Sequence, residues 1–188
     1  MVPMSVEEIA KAVDGRLVAG DGPAIEATET VTDSRQAGSG AVFVAIKGER
    51  VDGHGFVDKV ADQGAAAAIV DHEVACTTMP QIVVEDTVAA LGLLAKHNID
   101  RRRQLPGAFD LIGLTGSVGK TTTKDLLSAL LSTLGPTVAP IGSFNNEIGL
   151  PLTALRVNAD TRFFVAEMGA NHIGEICLLY TSDAADEL

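Results

Sequence analysis

The sequence predicts an α/β protein with two domains, each built on a largely parallel sheet. Short apolar runs alternate with helical patterns along the chain, and the stretch RRRQLPG (101–107) interrupts this alternation with a charged helix end. Pro106 and Gly107 close that stretch, and a new apolar run begins directly after it. Because strands that alternate with helices need crossover connections, parallel pairing is expected. We therefore predict domains at 1–106 and 107–176.

The first domain opens with a helix whose ends are marked in the sequence. Ser5 is the expected N-cap, Glu8 three residues later completes a capping box, and Gly15 ends the helix. The apolar runs AVFVAI, AAAAIV and QIVVE are typical of buried strands. Strands are thus predicted over 41–46, 65–70 and 81–85, with helices over 56–63 and about 87–102.

The second domain begins with a strand, a glycine-framed turn and a helix. The strand is predicted over 109–114, and the helix over 120–134, where Gly135 and Pro136 end it. Another helix is expected to begin near Pro151, and a strand is predicted over 162–169. A parallel nucleotide-binding domain has several more strands than the remaining residues supply. We expect this domain to be unfinished and one of its apolar faces to be uncovered.

Composition and charge exclude several functional classes. The chain is 46% hydrophobic and 21% charged, without a signal-peptide pattern or an apolar run long enough to span a bilayer. A cytoplasmic protein with no membrane partner is expected. The net charge of −11 argues against nucleic acid as a partner. The one basic run, at 101–103, is expected to be a solvated helix end, and Cys76 and Cys177 are expected to be reduced thiols.

The turn TGSVGKTT (115–122) predicts a nucleotide triphosphate site. Gly116 and Gly119 let the backbone fold tightly, so that amide groups and the helix N-terminus face the phosphates. Lys120 would neutralise the β and γ phosphates, and Thr121 would offer its hydroxyl to Mg²⁺. The common pattern has a glycine where Leu114 stands, and a purely structural glycine turn is the alternative. The predicted phosphate-binding residues are Thr115, Gly116, Ser117, Val118, Gly119, Lys120, Thr121 and Thr122.

An acidic side chain is expected to face this turn. Glu167 ends a strand that should lie beside the strand before the turn, so its carboxylate would reach Mg²⁺ at the carboxyl edge of the sheet. Thr121 and Glu167 are therefore the predicted metal ligands, and Lys120 and Glu167 the predicted catalytic residues. His54, in DGHGF (52–56), is expected to be a cap or surface residue.

The pattern T-G-S-x-G-K-T-T resembles the phosphate loop of the Mur ligase family, the ATP-dependent amino-acid ligases of peptidoglycan precursor synthesis. Three further stretches resemble that family in the same order. They are TDSRQAGSGAVFVAIKGERVDGHGF (32–56), GSFNNEIGLPLTALR (142–156) and FFVAEMGANHIGEI (163–176). With the loop, these stretches are spread over the chain from 32 to 176. They are most similar to the branch that joins D-alanyl-D-alanine to UDP-N-acetylmuramoyl-tripeptide.

The resemblance implies a small N-terminal substrate domain followed by the start of a P-loop ATP-binding domain. It implies amide formation through an acyl phosphate, with ATP and Mg²⁺ as cofactors and a monomer at full length. The N-terminal domain would hold the UDP end of the substrate, where Arg35 can fork onto a phosphate. A capped turn with a surface ion pair is the alternative for that segment. The implied substrate-binding residues are Ser34, Arg35, Lys47, Gly48, Asn145, Asn146, Asn171 and His172.

Other functions stay open at this point. A sibling ligase, such as the enzyme that adds the third residue or a folate polyglutamate ligase, shares the same loop pattern. A standalone module that binds a nucleotide or UDP-sugar without turnover is a second alternative, and a regulatory P-loop switch is a third.

The end of the sequence is expected to be foreign. The family's pattern would continue a helix after Ile176, but the chain reads CLLYTSDAADEL, whose back-translation resembles a transposase adapter used in sequencing libraries. We therefore expect residues 177–188 to be a non-native tail, with a natural amphipathic tail as the alternative. Family members run to roughly twice this length, so this chain alone is expected to be poorly soluble and not to catalyse ligation.

Overall fold

The computed structural model describes residues 1–18, 20, 25–75, 78–142 and 144–169. The chain divides into two compact units, one of Met1 and Pro3–Leu94 and the other of Val2 and the residues from Ala95 onward. Asn171, His172, both cysteines and the expected tail at 177–188 lie outside the described residues. The domain limits at 106 and 107 stay a prediction.

The first unit contains a five-stranded sheet in the order β1-β5-β4-β3-β2. All described pairs are parallel except β1 with β5, which is antiparallel. The predicted runs form the three inner strands, while the two edge strands were not predicted, because each has only three residues and is partly exposed. The strands are β1 Arg16–Val18, β2 Glu29–Val31, β3 Ala41–Val44, β4 Ala67–Val70 and β5 Gln81–Val83.

Helices flank the first sheet where the sequence places them. Helix α1, Val6–Ala12, starts at the predicted cap, where Ser5 Oγ accepts from the Glu8 amide at 3.2 Å. A 3₁₀ turn, Gly53–Phe56, leads into α2, Val57–Asp62. Helix α3, Thr87–Gln104, contains the division between the units. None of the described helices is both long and apolar enough to cross a bilayer.

The core of the first unit lies on β3 and β4. Every residue of both strands is buried, which explains their continuous apolar sequence. Phe43 is the largest side chain of the cluster, 1% exposed, and it packs with Val57 and Val60 from α2. The buried central strands therefore stabilise the sheet, and polar segments lie at its carboxyl edge.

The second unit has a parallel three-stranded sheet in the order β6-β8-β7. The central strand β8, Phe163–Glu167, is buried throughout, and Glu167 is in register with Leu114 at the end of β6, Asp110–Leu114. The sequence predicts this adjacency. The other elements are β7 Thr137–Val138, α4 Lys120–Leu131 and α5 Gly149–Ala154.

Arg102 corrects the expectation of a fully solvated basic run. Its side chain is buried at 2% exposure, although it sits in the predicted helix end. Its Nε donates to Thr161 O at 2.9 Å, and its Nη2 donates to Ala108 O at 3.1 Å, while the guanidinium lies over the ring of Phe109. Its Nη1 is buried without a hydrogen-bond partner, so the two carbonyls and the aromatic face offset only part of the cost of burial.

Helix α4 presents an apolar face outward, in line with the expected uncovered face. Leu126 and Leu130 are 69% and 61% exposed, and Leu134 just beyond the helix is 63% exposed.

Replacing Phe43 with alanine should destabilise the first unit. The cavity left in a fully buried cluster is expected to cost about 3–5 kcal/mol of unfolding free energy. Val51→Ala is the control, because Val51 is 57% exposed and its truncation should cost about 0.5 kcal/mol or less. Urea denaturation measures both, and equal losses would contradict the placement of the core.

Candidate functional site

Residues 115–119 connect β6 to α4 as a glycine-framed loop. Gly116 and Gly119 have φ angles of 149° and 78°, values that side-chain-bearing residues rarely adopt. Gly119 is the N-cap of α4, and no side chain accepts a hydrogen bond there. The first amides of the helix thus point out of the loop with no side-chain cap, an arrangement that suits an anion.

The loop borders a cavity of about 270 Å³. Lys120 Nζ donates to Gly116 O at 2.6 Å, which folds the side chain back over the loop. The cavity is lined by Ser117, Val118, Gly119, Lys120, Thr121, Thr122, Asn145 and Glu167. The structure therefore groups most of the predicted phosphate residues with Asn145 and Glu167.

Glu167 is the most constrained group of this site. It is 1% exposed, and its Oε1 accepts from Thr121 Oγ1 and from Asn145 Nδ2, both at 3.1 Å. Its Oε2 is buried without a hydrogen-bond partner. A buried carboxylate oxygen is costly unless it meets a donor or a cation. Carboxylate and hydroxyl oxygens suit Mg²⁺, so Thr121 and Glu167 fit such an ion.

Asn145 and Asn146 are engaged with protein atoms. Besides the hydrogen bond from its side chain to Glu167, the backbone carbonyl of Asn145 accepts from the Gly169 amide at 3.0 Å. Asn146 Oδ1 accepts from the Gly149 amide at 2.8 Å, at the start of α5. The structure thus places Asn145 beside the cavity and Asn146 at a helix start.

Sequence reasoning missed Lys124, a buried cation of this unit. It lies on α4 and is 1% exposed, with its ammonium against the carbonyls of Pro140 and Gly142. A lysine in an amphipathic helix is expected in solvent. The only signal in the sequence was its position one turn after Lys120.

The predicted substrate residues of the first unit lie on two segments that follow neighbouring strands of its sheet. Ser34 and Arg35 follow β2, and Lys47 and Gly48 follow β3. These strands are parallel neighbours, so both segments leave the carboxyl edge. Ser34 is buried at 8% exposure, and the Gly48 amide donates to Val51 O at 3.0 Å in a tight turn.

Arg35 forms a two-point ion pair with Asp33. The Arg35 Nη2 lies 2.6 Å from Asp33 Oδ2, and Nε lies 2.9 Å from Oδ1. The guanidinium and the Arg35 amide, which both donate to the carboxylate, lower the pKa of Asp33 to about 2. The Arg35 side chain is 81% exposed. This is the surface ion pair that the sequence left open as an alternative, and it also orients the guanidinium.

His54 is buried, contrary to the expected cap or surface position. It is 5% exposed, its Nδ1 lies 2.6 Å from Asp52 Oδ1, and its Nε2 accepts from the Asp71 amide at 3.1 Å. Its ring stacks on His72, which with Asp71 completes a group close enough for a metal ion. Both ring nitrogens of His54 already have protein partners, so a structural role explains the group.

A strand, a glycine loop and a helix, with a carboxylate on the neighbouring parallel strand, together define a P-loop nucleotide-binding protein. Comparison with known proteins narrows this class. The model "Mur ligase family, catalytic domain" matches residues 27–99, and "Mur ligase middle domain" matches residues 114–184. The second match continues past Ile176 into the stretch expected to be foreign, whose origin stays a prediction.

The chain belongs to the Mur ligase family. It is 38% identical over 176 residues to the UDP-N-acetylmuramoyl-tripeptide–D-alanyl-D-alanine ligase of Escherichia coli, covering 94% of this chain and 37% of that protein. A crystal structure of MurF from Acinetobacter baumannii aligns with a TM-score of 0.82 at 40% identity, over 94% of this chain and 38% of that one. The fold-class prediction is thereby confirmed.

A crystal structure of MurF ligase from Thermotoga maritima in complex with ADP is a further relative. It aligns with a TM-score of 0.69 at 35% identity, over 80% of this chain and 34% of that chain. The chain therefore spans less than two fifths of the length of each of these relatives.

Removing the Arg35 side chain should raise the pKa of Asp33 from about 2 toward the ordinary value of 3.8. In Arg35→Met the guanidinium donors and charge are gone, and only the backbone amide and the positive charge of Lys59 still favour the carboxylate. A carboxyl ¹³C NMR titration measures the midpoint, with Arg50→Met as the control.

The direction in which pH changes the folding stability follows from the lowered pKa of Asp33. The contribution of Asp33 is present above its unfolded pKa and is lost as the pH falls toward 2. An unchanged Asp33 midpoint in Arg35→Met would contradict the ion pair.

Proposed function

We propose that this chain carries the nucleotide-binding and UDP-substrate-binding parts of an ATP-dependent ligase. The reaction is the addition of D-alanyl-D-alanine to UDP-N-acetylmuramoyl-tripeptide in peptidoglycan synthesis. The observation that supports it best is the phosphate loop facing the buried, half-partnered carboxylate of Glu167. The choice of substrates rests on the activity named for the Escherichia coli relative.

In this proposal the loop binds the phosphates of ATP. The amides at the start of α4 and the Lys120 ammonium contact the β and γ phosphates, while Thr121 and Glu167 hold Mg²⁺. The ion, when bound, neutralises negative charge on the transferring phosphoryl group. Thr115, Gly116 and the other loop residues supply the backbone of the cradle.

Two chemical steps follow from the proposed activity. A carboxylate oxygen of the tripeptide attacks the γ phosphorus of ATP, and the bond to the β–γ bridging oxygen breaks to give an acyl phosphate and ADP. The amine of D-alanyl-D-alanine then attacks the acyl carbon, phosphate leaves, and the amine loses a proton. Lys120 would stabilise charge in the first step, since its ammonium lines the cavity in which the phosphate oxygens would bind.

The first unit would hold the UDP end of the tripeptide substrate. Arg35, already oriented by Asp33, would fork onto a diphosphate oxygen, and the segments at Ser34 and at Lys47 and Gly48 would supply further donors. Asn145, Asn146, Asn171 and His172 belong to the proposed substrate set of the second domain.

The proposal also includes the domain limits, the oligomeric state and the cellular location of the protein. Domains at 1–106 and 107–176 and a monomer at full length belong to it. It places the protein in the cytoplasm, where ATP and nucleotide-linked precursors are available.

ATP binding is tested with Lys120→Met. Loss of a charge-assisted contact to phosphate should weaken ATP affinity by about 10- to 100-fold. Lys11→Met is the matched control, because Lys11 is an exposed lysine of the first unit. Titration with a fluorescent ATP analogue in Mg²⁺ measures both. Equal affinities in the two variants and the parent chain would contradict the proposal.

The same sample tests the substrate class. Saturation-transfer NMR should show contact with UDP-N-acetylmuramoyl-tripeptide and none with folate monoglutamate. The reverse result would favour the folate branch of the alternatives.

A further inference from the structure

Lys124 has a buried ammonium inside the second unit that donates to two backbone carbonyls. Its side chain is 1% exposed, and Nζ donates to Pro140 O at 2.9 Å and to Gly142 O at 2.8 Å. The exposed carboxylate of Asp125 forms an ion pair with the same ammonium, with Oδ1 at 2.9 Å from Nζ. Two of the three N–H donors of the ammonium are thus used by backbone carbonyls. Because burial of an ammonium is costly without such contacts, they fix the position of residues 140–142.

We infer that Lys124 is a positioning residue that fixes residues 140–142 against α4 and so holds Asn145 on Glu167. The inference rests on the proposed function, since it assigns Lys124 a part in Mg²⁺-dependent nucleotide binding. No motif of the phosphate loop includes this residue.

The path from Lys124 to the carboxylate is short. Gly142, with φ of 63°, directs its carbonyl to the ammonium, and Asn145 follows three residues later. Asn145 is then held at both ends, by the Gly169 amide on its carbonyl and by Glu167 Oε1 on its Nδ2. Displacement of residues 140–142 would draw Asn145 away from Glu167.

The hydrogen bond from Asn145 matters because of the carboxylate oxygen of Glu167 that accepts it. Together with Thr121 it uses Glu167 Oε1, which leaves Oε2 unpartnered for a cation. Helix α4 supplies both Thr121 and Lys124, so one rigid element sets two sides of the carboxylate. Groups that orient a metal ligand in this way usually change metal affinity when they are removed.

The first test measures the position of the loop without any nucleotide. Lys124→Met keeps the length of the side chain but leaves two carbonyls without donors. Hydrogen exchange at the Gly149 and Gly169 amides, which bond to Asn146 and Asn145, should become about tenfold faster. Amides of the β6–β8 ladder should be unchanged. Asp125→Asn is the control, because Asp125 is 67% exposed and its pairing contributes little.

The second test separates positioning from general stability. Lys124→Met should weaken ATP binding in Mg²⁺ by about tenfold or more, but leave ATP binding in EDTA close to that of the parent chain. A purely structural lysine would weaken both. The double variant with Asn145→Ala should bind Mg²⁺-ATP no more weakly than Asn145→Ala alone, because both changes remove the same contact.

The outcomes separate this inference from the proposed function. Unchanged exchange at Gly149 and Gly169 in Lys124→Met overturns the inference, as do equal losses of affinity in Mg²⁺ and in EDTA. If the parent chain binds no ATP, the proposed function fails, and the exchange experiment alone decides whether Lys124 positions the loop.

Discussion

The buried carboxylate of Glu167 is the constraint on which the second unit's site depends. It ends the central strand of a parallel sheet, 1% exposed, with one oxygen bonded twice and the other unpartnered. Because an unpartnered buried carboxylate destabilises a fold, such a group usually marks a ligand site. The register of Glu167 with Leu114 places it at the point where the phosphate loop leaves its strand.

The other residues of the site in the second unit are arranged around the carboxylate of Glu167. Helix α4 brings Thr121 to one oxygen, and the Asn145 side chain donates to the same oxygen. The positive φ angles of Gly116 and Gly119 turn the loop so that the helix start faces the same cavity. Anionic phosphates and a cation would thus meet between a helix N-terminus and a carboxylate, each compensating the other's charge.

The sequence predicted the parts of this site that local patterns encode. The glycine loop between an apolar run and a helix was visible, and parallel pairing then put Glu167 beside it. Strands β1, β2 and β7 were missed because each has only two or three residues. Arg102 was expected in solvent and the burial of Lys124 was not predicted, since both depend on carbonyls of Thr161, Pro140 and Gly142 that are distant in sequence.

The most direct measurement is the Mg²⁺ dependence of ATP affinity in Glu167→Gln. Glutamine keeps the size of the side chain and an oxygen for Thr121 and Asn145, but removes the charge. We predict that the parent chain binds ATP more tightly in Mg²⁺ than in EDTA, and that Glu167→Gln loses this difference without a loss of metal-free stability in urea. Retention of the full Mg²⁺ preference in Glu167→Gln would show that Glu167 does not hold the ion.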